Sequence, residues 1–362
     1  MTRKVFSIKK FLLFLFIMLL IIIGSLIGTY FYLITAPSKE SKQVNIYVEK
    51  GSNYSTIATT LKEKGLIRSQ LAYKIYLKLN TPNNSLEYGD YVLKTNYDLE
   101  ELINTLGKGS VSLADTISVT FIEGNNVRHF IKTVTSNFNI TEEEILNKLD
   151  DEKYINTLIN DYWFLTDEIK NKEIYYPLEG YLFPDTYEFY TSADIDDIFR
   201  KLLDNMSKKL EPYKESIENS DKTIHEMITL SSIVEKEGAN DSDRKMIAGV
   251  FYNRLRDGWS LGSDPTTYYA EKIDDNVRDL KMSELNSCNA YNTRSSCLNG
   301  KLPVGPICNP GLASLVASIE PEKHNYYYFV ADKNGKNYFN ETQAGHDSTI
   351  NKLKREGLWI TY

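Results

Sequence analysis

The first strong pattern along the chain is an apolar stretch at residues 11–34, which contains no charged side chain and is dense in Leu, Ile and Phe. A helix of this length spans about 36 Å, more than the bilayer core of about 30 Å. A cleaved signal peptide is the alternative, but its apolar region would be only about 7–15 residues long. Basic residues precede the stretch, so the positive-inside rule predicts a cytoplasmic N-terminus. The pattern predicts a single-pass anchor in the cell membrane, within residues 1–36, and an extracytoplasmic remainder.

Residues 37–112 show the patterns of a small module. Alternating apolar and polar positions predict strands at 44–48 and 86–93. Between them we expect two helices, capped by Ser52 and Ser69. The second helix is predicted to bury a stripe that consists of Leu71, Ile75, Tyr76 and Leu79. This order of strand, helix, helix and strand is the layout of a LysM-like carbohydrate-binding module. A further helix is expected after Asp98, which stands at capping-box spacing from Glu101.

Residues 113–362 show both the helical spacing of apolar residues and the alternation that is typical of strands. A strand is predicted at 117–121, followed by a helical stripe at Val127, Phe130, Ile131 and Val134. Short strands and helices continue to the end without an internal repeat. We therefore predict an α+β fold with three parts: a stub and anchor at 1–36, the LysM-like module at 37–112, and a larger mixed α+β domain at 113–362.

Composition and charge exclude several classes of protein. The net charge is −7, and the chain after residue 36 carries 38 basic against 49 acidic residues. An acidic body argues against binding of nucleic acid through its phosphates. The four histidines do not cluster, and the chain has neither an HExxH nor a CxxC motif, so we expect no metal site and no cofactor. Cys288 and Cys297 bracket a short loop. The sequence leaves two alternatives open: a disulfide between these two cysteines, or three unpaired thiols.

One candidate for chemistry is Gly258-Trp259-Ser260-Leu261-Gly262, which matches the G-x-S-x-G nucleophile elbow of serine hydrolases. That elbow requires a strand before the serine and a helix after it. The preceding segment, 246–257, instead shows helical spacing, and Gly258 stands where a glycine ends a helix. The pattern therefore argues against a serine hydrolase centred on Ser260.

A better candidate lies in the helix predicted at 224–237, where Thr223 and Glu226 have capping-box spacing. Ile224 and Glu235 are about 20° apart around the helix axis, so Glu235 continues the apolar stripe. Glu226 and Glu237 are predicted to face water. Burial raises the pKa of a carboxylate, which suits a general acid. A structural ion pair between Glu235 and an arginine such as Arg254 is the alternative.

Several blocks together resemble the YceG-like (MltG) family of membrane-anchored endolytic murein transglycosylases. The blocks are LSSIVEKEG at 230–238, NRLRDGWSLGSDPTTYY at 253–269, YNT at 291–293, LP at 302–303, GPICNPG at 305–311 and YYFVA at 327–331. Upstream, LEGYLFPDTY at 178–187 is a further block, and FIEG at 121–124 is a looser one. The resemblance covers nearly the whole chain, including the anchor and the LysM-like module.

The resemblance implies a function and a site. The catalytic residue of the family is the first glutamate of its V-E-K-E block, which corresponds to Glu235 in this chain. The implied reaction cleaves the β-1,4 bond between N-acetylmuramic acid and N-acetylglucosamine in nascent peptidoglycan strands and leaves 1,6-anhydromuramoyl ends. Candidate substrate-binding residues are Asp264, Thr266, Tyr291, Asn292, Thr293 and Asn309. Partners would be glycan strands, the membrane and wall-synthesis machinery. The alternative is a non-catalytic, membrane-anchored scaffold that binds peptidoglycan.

Overall fold

The computed structural model describes residues 8–359 apart from 83, 111–115, 192, 239 and 275–276. The chain forms two compact units, Met1–Thr116 and Ile117–Tyr362. The first unit begins with α1 (Ile8–Leu33), and its segment Leu13–Leu33 has a mean hydropathy of 2.5 with none of its length buried. Its length and composition fit a single membrane anchor. The orientation of this helix in a membrane stays a prediction.

The rest of the first unit is a small α+β module. Its elements are β1 (Gln43–Val48), α2 (Ala58–Glu63), α3 (Gln70–Leu79), β2 (Gly89–Lys94) and α4 (Leu99–Leu106). The two strands pair antiparallel, from Gln43 opposite Lys94 to Val48 opposite Gly89. The predicted order of strand, helix, helix and strand is confirmed, as is the capping box of Asp98 and Glu101. Its resemblance to a LysM module stays a prediction.

Two details of this module differ from the sequence-based prediction. Ser52 does not cap α2, which begins at Ala58 after a turn. Ser69 does cap α3, but that helix buries Ala72 and Tyr73, while Leu71 and Leu79 are each 70% exposed. Of the predicted stripe, Tyr76 is partly buried and packs against the core, whereas Leu71, Ile75 and Leu79 are exposed. The prediction was wrong for these three because the ring of Tyr73 fills the core instead, and large aromatic side chains dominate packing.

The second unit combines many helices with two-stranded sheets. Its strands are β3 (Thr116–Thr120), β4 (Thr186–Tyr190), β5 (Tyr328–Ala331) and β6 (Asn337–Asn340). Its α-helices are α5 (Val127–Asn137), α6 (Glu142–Asp150), α7 (Glu152–Asp161), α8 (Ile195–Leu210), α9 (Lys214–Glu218), α10 (Ile224–Glu237), α11 (Asp241–Arg256), α12 (Asp264–Ala270), α13 (Met282–Leu285), α14 (Leu312–Ile319) and α15 (Gln343–Arg355). Short 3-10 helices lie at Asp167–Lys170, Glu211–Tyr213 and Ser296–Leu298. The mixed α+β class is confirmed.

Two apolar cores stabilise this unit. In the first, the rings of Phe121, Phe130 and Phe199 stack with centroids 5.2 and 5.4 Å apart, beside the β3–β4 sheet. The second core forms where α10 packs against α11 and α14, around buried Leu230, Ile247 and Phe251. Consequently α10 runs between the two cores and is enclosed on most of its surface.

A disulfide joins Cys288 and Cys297, which settles the alternatives that the sequence left open. Cys308 is free and buried. The bridge holds the loop that leads from α13 to the buried segment 291–293. Oxidised cysteines are typical of domains outside the cytoplasm, so the pairing fits the predicted export.

Candidate active site

The helix that carries Glu235 forms as the sequence predicts. Its bounds are Ile224–Glu237, and both bonds of the capping box between Thr223 and Glu226 are present. The Glu235 side chain is 7% exposed and therefore lies on the enclosed face of the helix, as predicted. A carboxylate at such a position requires polar partners, because an unpaired buried charge is strongly unfavourable.

Three groups from two other helices supply those partners. Glu235 Oε2 accepts hydrogen bonds from Gly311 N at 3.0 Å and from Ser314 Oγ at 2.7 Å, both at the start of α14. Arg244 Nη1 of α11 lies 3.3 Å from the same oxygen. The N-terminus of a helix and an arginine both favour negative charge. Glu235 therefore has an ion pair, but with Arg244 and not with Arg254.

Arg244 is itself held firmly. Its Nη1 donates to Ser314 Oγ at 2.7 Å, and its Nε donates to Asp241 Oδ1 at 3.1 Å. The guanidinium is only 10% exposed. Arg254 instead donates to the carbonyls of Leu261 and Tyr327. The geometry thus separates an arginine of the site from an arginine that braces the loop after α11.

A second carboxylate lies beside Glu235. Glu123 follows β3, and a Cβ added to Gly311 would come within 2.3 Å of the Glu123 Cδ atom. Both carboxyl groups therefore contact Gly311. Partial burial raises the pKa of Glu123, and the negative charge of Glu235 raises it further. The sequence marks the Phe121–Gly124 block only loosely, and neither Glu123, Arg244 nor Ser314 was predicted as part of the site.

The environment of Glu237 differs from the prediction. It was expected to face water, but its carboxylate accepts a hydrogen bond from Ser263 Oγ at 2.6 Å, and burial raises its pKa. The loop before α12 covers the side of α10 opposite Glu235. Because α10 lies inside the domain, both of its faces are covered, so a carboxylate opposite the apolar stripe is also enclosed.

The predicted substrate-binding residues of α12 differ in exposure. Asp264 is 48% exposed, and its Oδ1 accepts from Arg294 Nε at 2.5 Å. Thr266 is fully buried, and its hydroxyl donates to the Ser263 carbonyl at 2.6 Å. Asp264 can therefore meet a ligand directly, whereas Thr266 can act only through the backbone that it supports.

Tyr291, Asn292 and Thr293 are all fully buried. The Tyr291 hydroxyl accepts from Tyr175 N, and the Asn292 amide donates to the carbonyls of Glu284, Leu285 and Ser287. Thr293 Oγ1 lies 2.8 Å from Thr266 Oγ1. These contacts assign the three residues a structural role, and contact with a substrate stays a prediction.

Asn309 is buried and ties three segments together. Its Oδ1 accepts from Gly180 N at 2.9 Å and from Leu182 N at 3.1 Å. Its backbone N–H donates to the Asn125 carbonyl at 2.9 Å, and Gly124 N donates to the Asn309 carbonyl at 2.9 Å. Asn309 thereby fixes the loop that carries Gly311 against the loop that carries Glu123, and so positions the site.

The structure also addresses the two other kinds of site that the sequence analysis considered, a serine nucleophile and a metal site. Ser260 Oγ donates to the Thr293 carbonyl and stands in a turn after α11, where Gly258 has a φ of +73°. This is not a nucleophile elbow, as predicted from the helical spacing before it. Within the described part of the chain, no group of three or more His, Cys, Asp or Glu residues is arranged to hold a metal ion.

Two cavities lie along α10. One of about 250 Å³ is lined by Gly124 and Lys236, the neighbours of the two carboxylates, and by Pro265, Tyr269 and Asp274. A larger one of about 1160 Å³ opens at the beginning of α10, beside His225 and Glu226, and is not lined by Glu235. Neither Glu235 nor Glu123 lines the smaller opening itself, but Gly124 and Lys236 in its lining are their chain neighbours, and we assign the site to this opening for that reason.

Comparisons with known proteins identify the family of this chain. The model of the YceG-like family matches residues 46–352. The "Endolytic murein transglycosylase" of Bacillus subtilis is 34% identical over 90% of this chain and 90% of its own length. A protein of the same name from Streptococcus pneumoniae is 33% identical over 88% of this chain, which spans 60% of that relative. The crystal structure of a putative yceG-like protein from Listeria monocytogenes is 30% identical, with a TM-score of 0.60 over 86% of this chain and all of that one. The chain therefore belongs to the YceG-like family.

Proposed function

We propose that this protein is an endolytic murein transglycosylase that cleaves peptidoglycan glycan strands internally. The observation that carries the proposal is the enclosed Glu235 carboxylate, held by Gly311, Ser314 and Arg244. Its neighbour Lys236 lines a polar cavity. The names of the relatives support the substrate and the reaction class. Proton transfer by a positioned carboxylate is the chemistry that cleavage of a glycosidic bond requires.

The reaction needs two proton transfers and no water. The bond between C1 of the muramoyl residue and O4 of N-acetylglucosamine breaks, and O4 receives a proton. The muramoyl 6-hydroxyl loses its proton and its oxygen closes on C1, which gives a 1,6-anhydromuramoyl end. In the simplest case Glu235 performs both transfers in turn, first as acid and then as base.

The location of the enzyme follows from the anchor. The helix Ile8–Leu33 would fix the protein in the cell membrane with its N-terminus in the cytoplasm and its site facing the wall. The module at 43–106 would hold glycan as a LysM-like domain does. A membrane-bound endolytic enzyme would meet strands that are being made, so wall-synthesis machinery is the expected partner.

The alternative is a scaffold that binds peptidoglycan and has no activity. Incubation of the full-length protein in detergent micelles with purified peptidoglycan, followed by mass spectrometry of the released ends, separates the two. We expect anhydromuramoyl ends from the wild type and about 10²–10⁴-fold slower formation of them by Glu235→Gln. Reducing ends, heavier by one water, would indicate hydrolysis instead. Binding without new ends would establish the scaffold.

A further inference from the structure

The two carboxyl groups of the site meet at one glycine. Glu123 Cδ and Oε1 both lie 2.3 Å from the position that a Cβ of Gly311 would occupy. The N–H of the same glycine donates to Glu235 Oε2 at 3.0 Å. Gly311 has a φ of −75°, which any residue can adopt. The backbone conformation would therefore allow a side chain at this position, but its Cβ would have to displace the Glu123 carboxyl group.

The loop that carries Glu123 is fixed in this place. Gly124 N donates to the Asn309 carbonyl and Asn309 N donates to the Asn125 carbonyl, each at 2.9 Å. Lys236 Nζ, next to Glu235 on α10, donates to the Gly124 carbonyl at 3.3 Å. Backbone contacts thus join the Glu123 loop to both the Gly311 loop and α10. The proximity of the two carboxyl groups is built into the fold.

The two groups differ in their hydrogen-bond donors. Glu235 has Arg244, Ser314 and Gly311 as donors. Over the described ranges of the chain, Glu123 forms no hydrogen bond or ion pair, and it is the more exposed of the two. When two carboxylates share a site, the one that lacks donors retains its proton more readily. Burial and then the charge of Glu235 raise the pKa of Glu123, Arg244 lowers it, and Asp241 and Asp185 raise it further, so that the net direction is upward.

From this geometry we infer that Glu123 is a second catalytic carboxylate, which donates the proton to the leaving oxygen while Glu235 acts as the base. The inference rests on the proposed function and divides its two proton transfers between two residues. Protonated Glu123 gives its proton to O4 as the C1–O4 bond breaks. Ionised Glu235 takes the proton of the 6-hydroxyl as the C1–O6 bond forms. The proton then returns from Glu235 to Glu123, so the cycle consumes none.

The test compares variants of the full-length protein in detergent micelles, with the rate of formation of anhydromuramoyl ends measured from pH 5 to 9. For the wild type the rate should fall as pH rises through the raised pKa of Glu123, because only the protonated group can donate. Glu123→Gln should lower kcat by about 10²–10⁴-fold with little change in KM, and this alkaline fall should disappear from its residual rate. Glu123→Asp, which retains an acid, should recover part of the rate together with the alkaline fall.

A second variant guards against a simple folding defect. Gly311→Ala retains both carboxyl groups, but its Cβ must displace Glu123, so kcat should fall while tryptophan fluorescence shows a folded domain. Glu218→Gln, at an exposed position of α9, is the matched control and should behave as wild type. If Glu123→Gln keeps wild-type kcat, or keeps the alkaline fall, Glu123 is not the proton donor. If Glu235→Gln is inactive in the same experiment, the proposed function stands without that donor. If Glu235→Gln is fully active, the assignment of Glu235 fails. If the wild type forms no anhydromuramoyl ends, the proposed function itself fails.

Discussion

Arg244 Nη1 lies 3.3 Å from Glu235 Oε2. Glu235 is near the end of α10 and Arg244 near the beginning of α11, so the contact joins two consecutive helices. The arginine also donates to Ser314, which donates to the same carboxylate oxygen. Removing one partner of a buried ion pair leaves a charge without compensation. This triangle therefore couples the candidate catalytic carboxylate to the packing of α10, α11 and α14.

The first prediction concerns Glu235→Gln. The amide keeps the size of the side chain and can accept from Gly311, but it cannot transfer a proton. Turnover measured as anhydromuramoyl ends should fall by about 10²–10⁴-fold. Glu218→Gln is the control, because that residue is exposed on α9. Loss of turnover in the control, or Ser260→Ala that is inactive while Glu235→Gln is active, would contradict our assignment.

The second prediction replaces the expectation that Glu237 is a surface residue. Glu237→Ala removes the acceptor of Ser263 Oγ and leaves that enclosed hydroxyl without its partner. The free energy of unfolding should fall by about 1–3 kcal/mol, and by less in Glu237→Gln, which keeps an acceptor. Trp163, Trp259 and Trp359 all belong to the second unit, so denaturant unfolding followed by tryptophan fluorescence reports on it. Equal stability of Glu237→Ala and wild type would show that the side chain faces water.

The third prediction concerns pH. Glu179 is fully buried, accepts from Val127 N and Tyr269 Oη, and burial raises its pKa from 4.5 to about 7. The unfolded chain releases this proton near pH 4.5, whereas the folded protein retains it to about pH 7. Stability from this group is therefore fully present below about pH 4.5 and is lost as pH rises to about 7. The loss should amount to about 3 kcal/mol.

Glu179→Gln provides the comparison for this measurement. The difference in unfolding free energy between wild type and variant should shift in favour of the variant from pH 4.5 to 7, and then stay constant. All other titrating groups are shared and cancel in the difference. A difference that is independent of pH across this window would show that Glu179 is ionised in the folded protein.

The fourth prediction concerns the disulfide between Cys288 and Cys297, which are nine residues apart. Closing a loop of this length in the unfolded chain should contribute about 2–3 kcal/mol in the chain-entropy model. A reductant should lower the unfolding free energy of the wild type by this amount. It should have no effect on the double variant Cys288→Ser/Cys297→Ser. A reductant effect on the double variant would indicate another cause.

Much of the local structure could be predicted from the sequence. The bounds of α10 and the capping boxes at Asp98–Glu101 and Thr223–Glu226 are confirmed. The buried stripe Val127, Phe130, Ile131 and Val134 is confirmed as well. These features depend on side chains within four residues of one another, and such neighbours interact in any helix. The start of α2 and the buried face of α3 were wrong because they depend on packing against the rest of the module.

The sequence by itself determined the apolar N-terminal helix, the mixed α+β class, the helix of Glu235 and the side of that helix on which Glu235 lies. Each of these is encoded in a local composition, periodicity or cap. Only the tertiary structure decided what surrounds that carboxylate. Glu123, Arg244, Gly311 and Ser314 come from separate loops and helices, up to 191 positions apart in the chain. It also decided that Glu237 is enclosed, because periodicity orients a side chain relative to its own helix, whereas burial depends on what other elements cover each face.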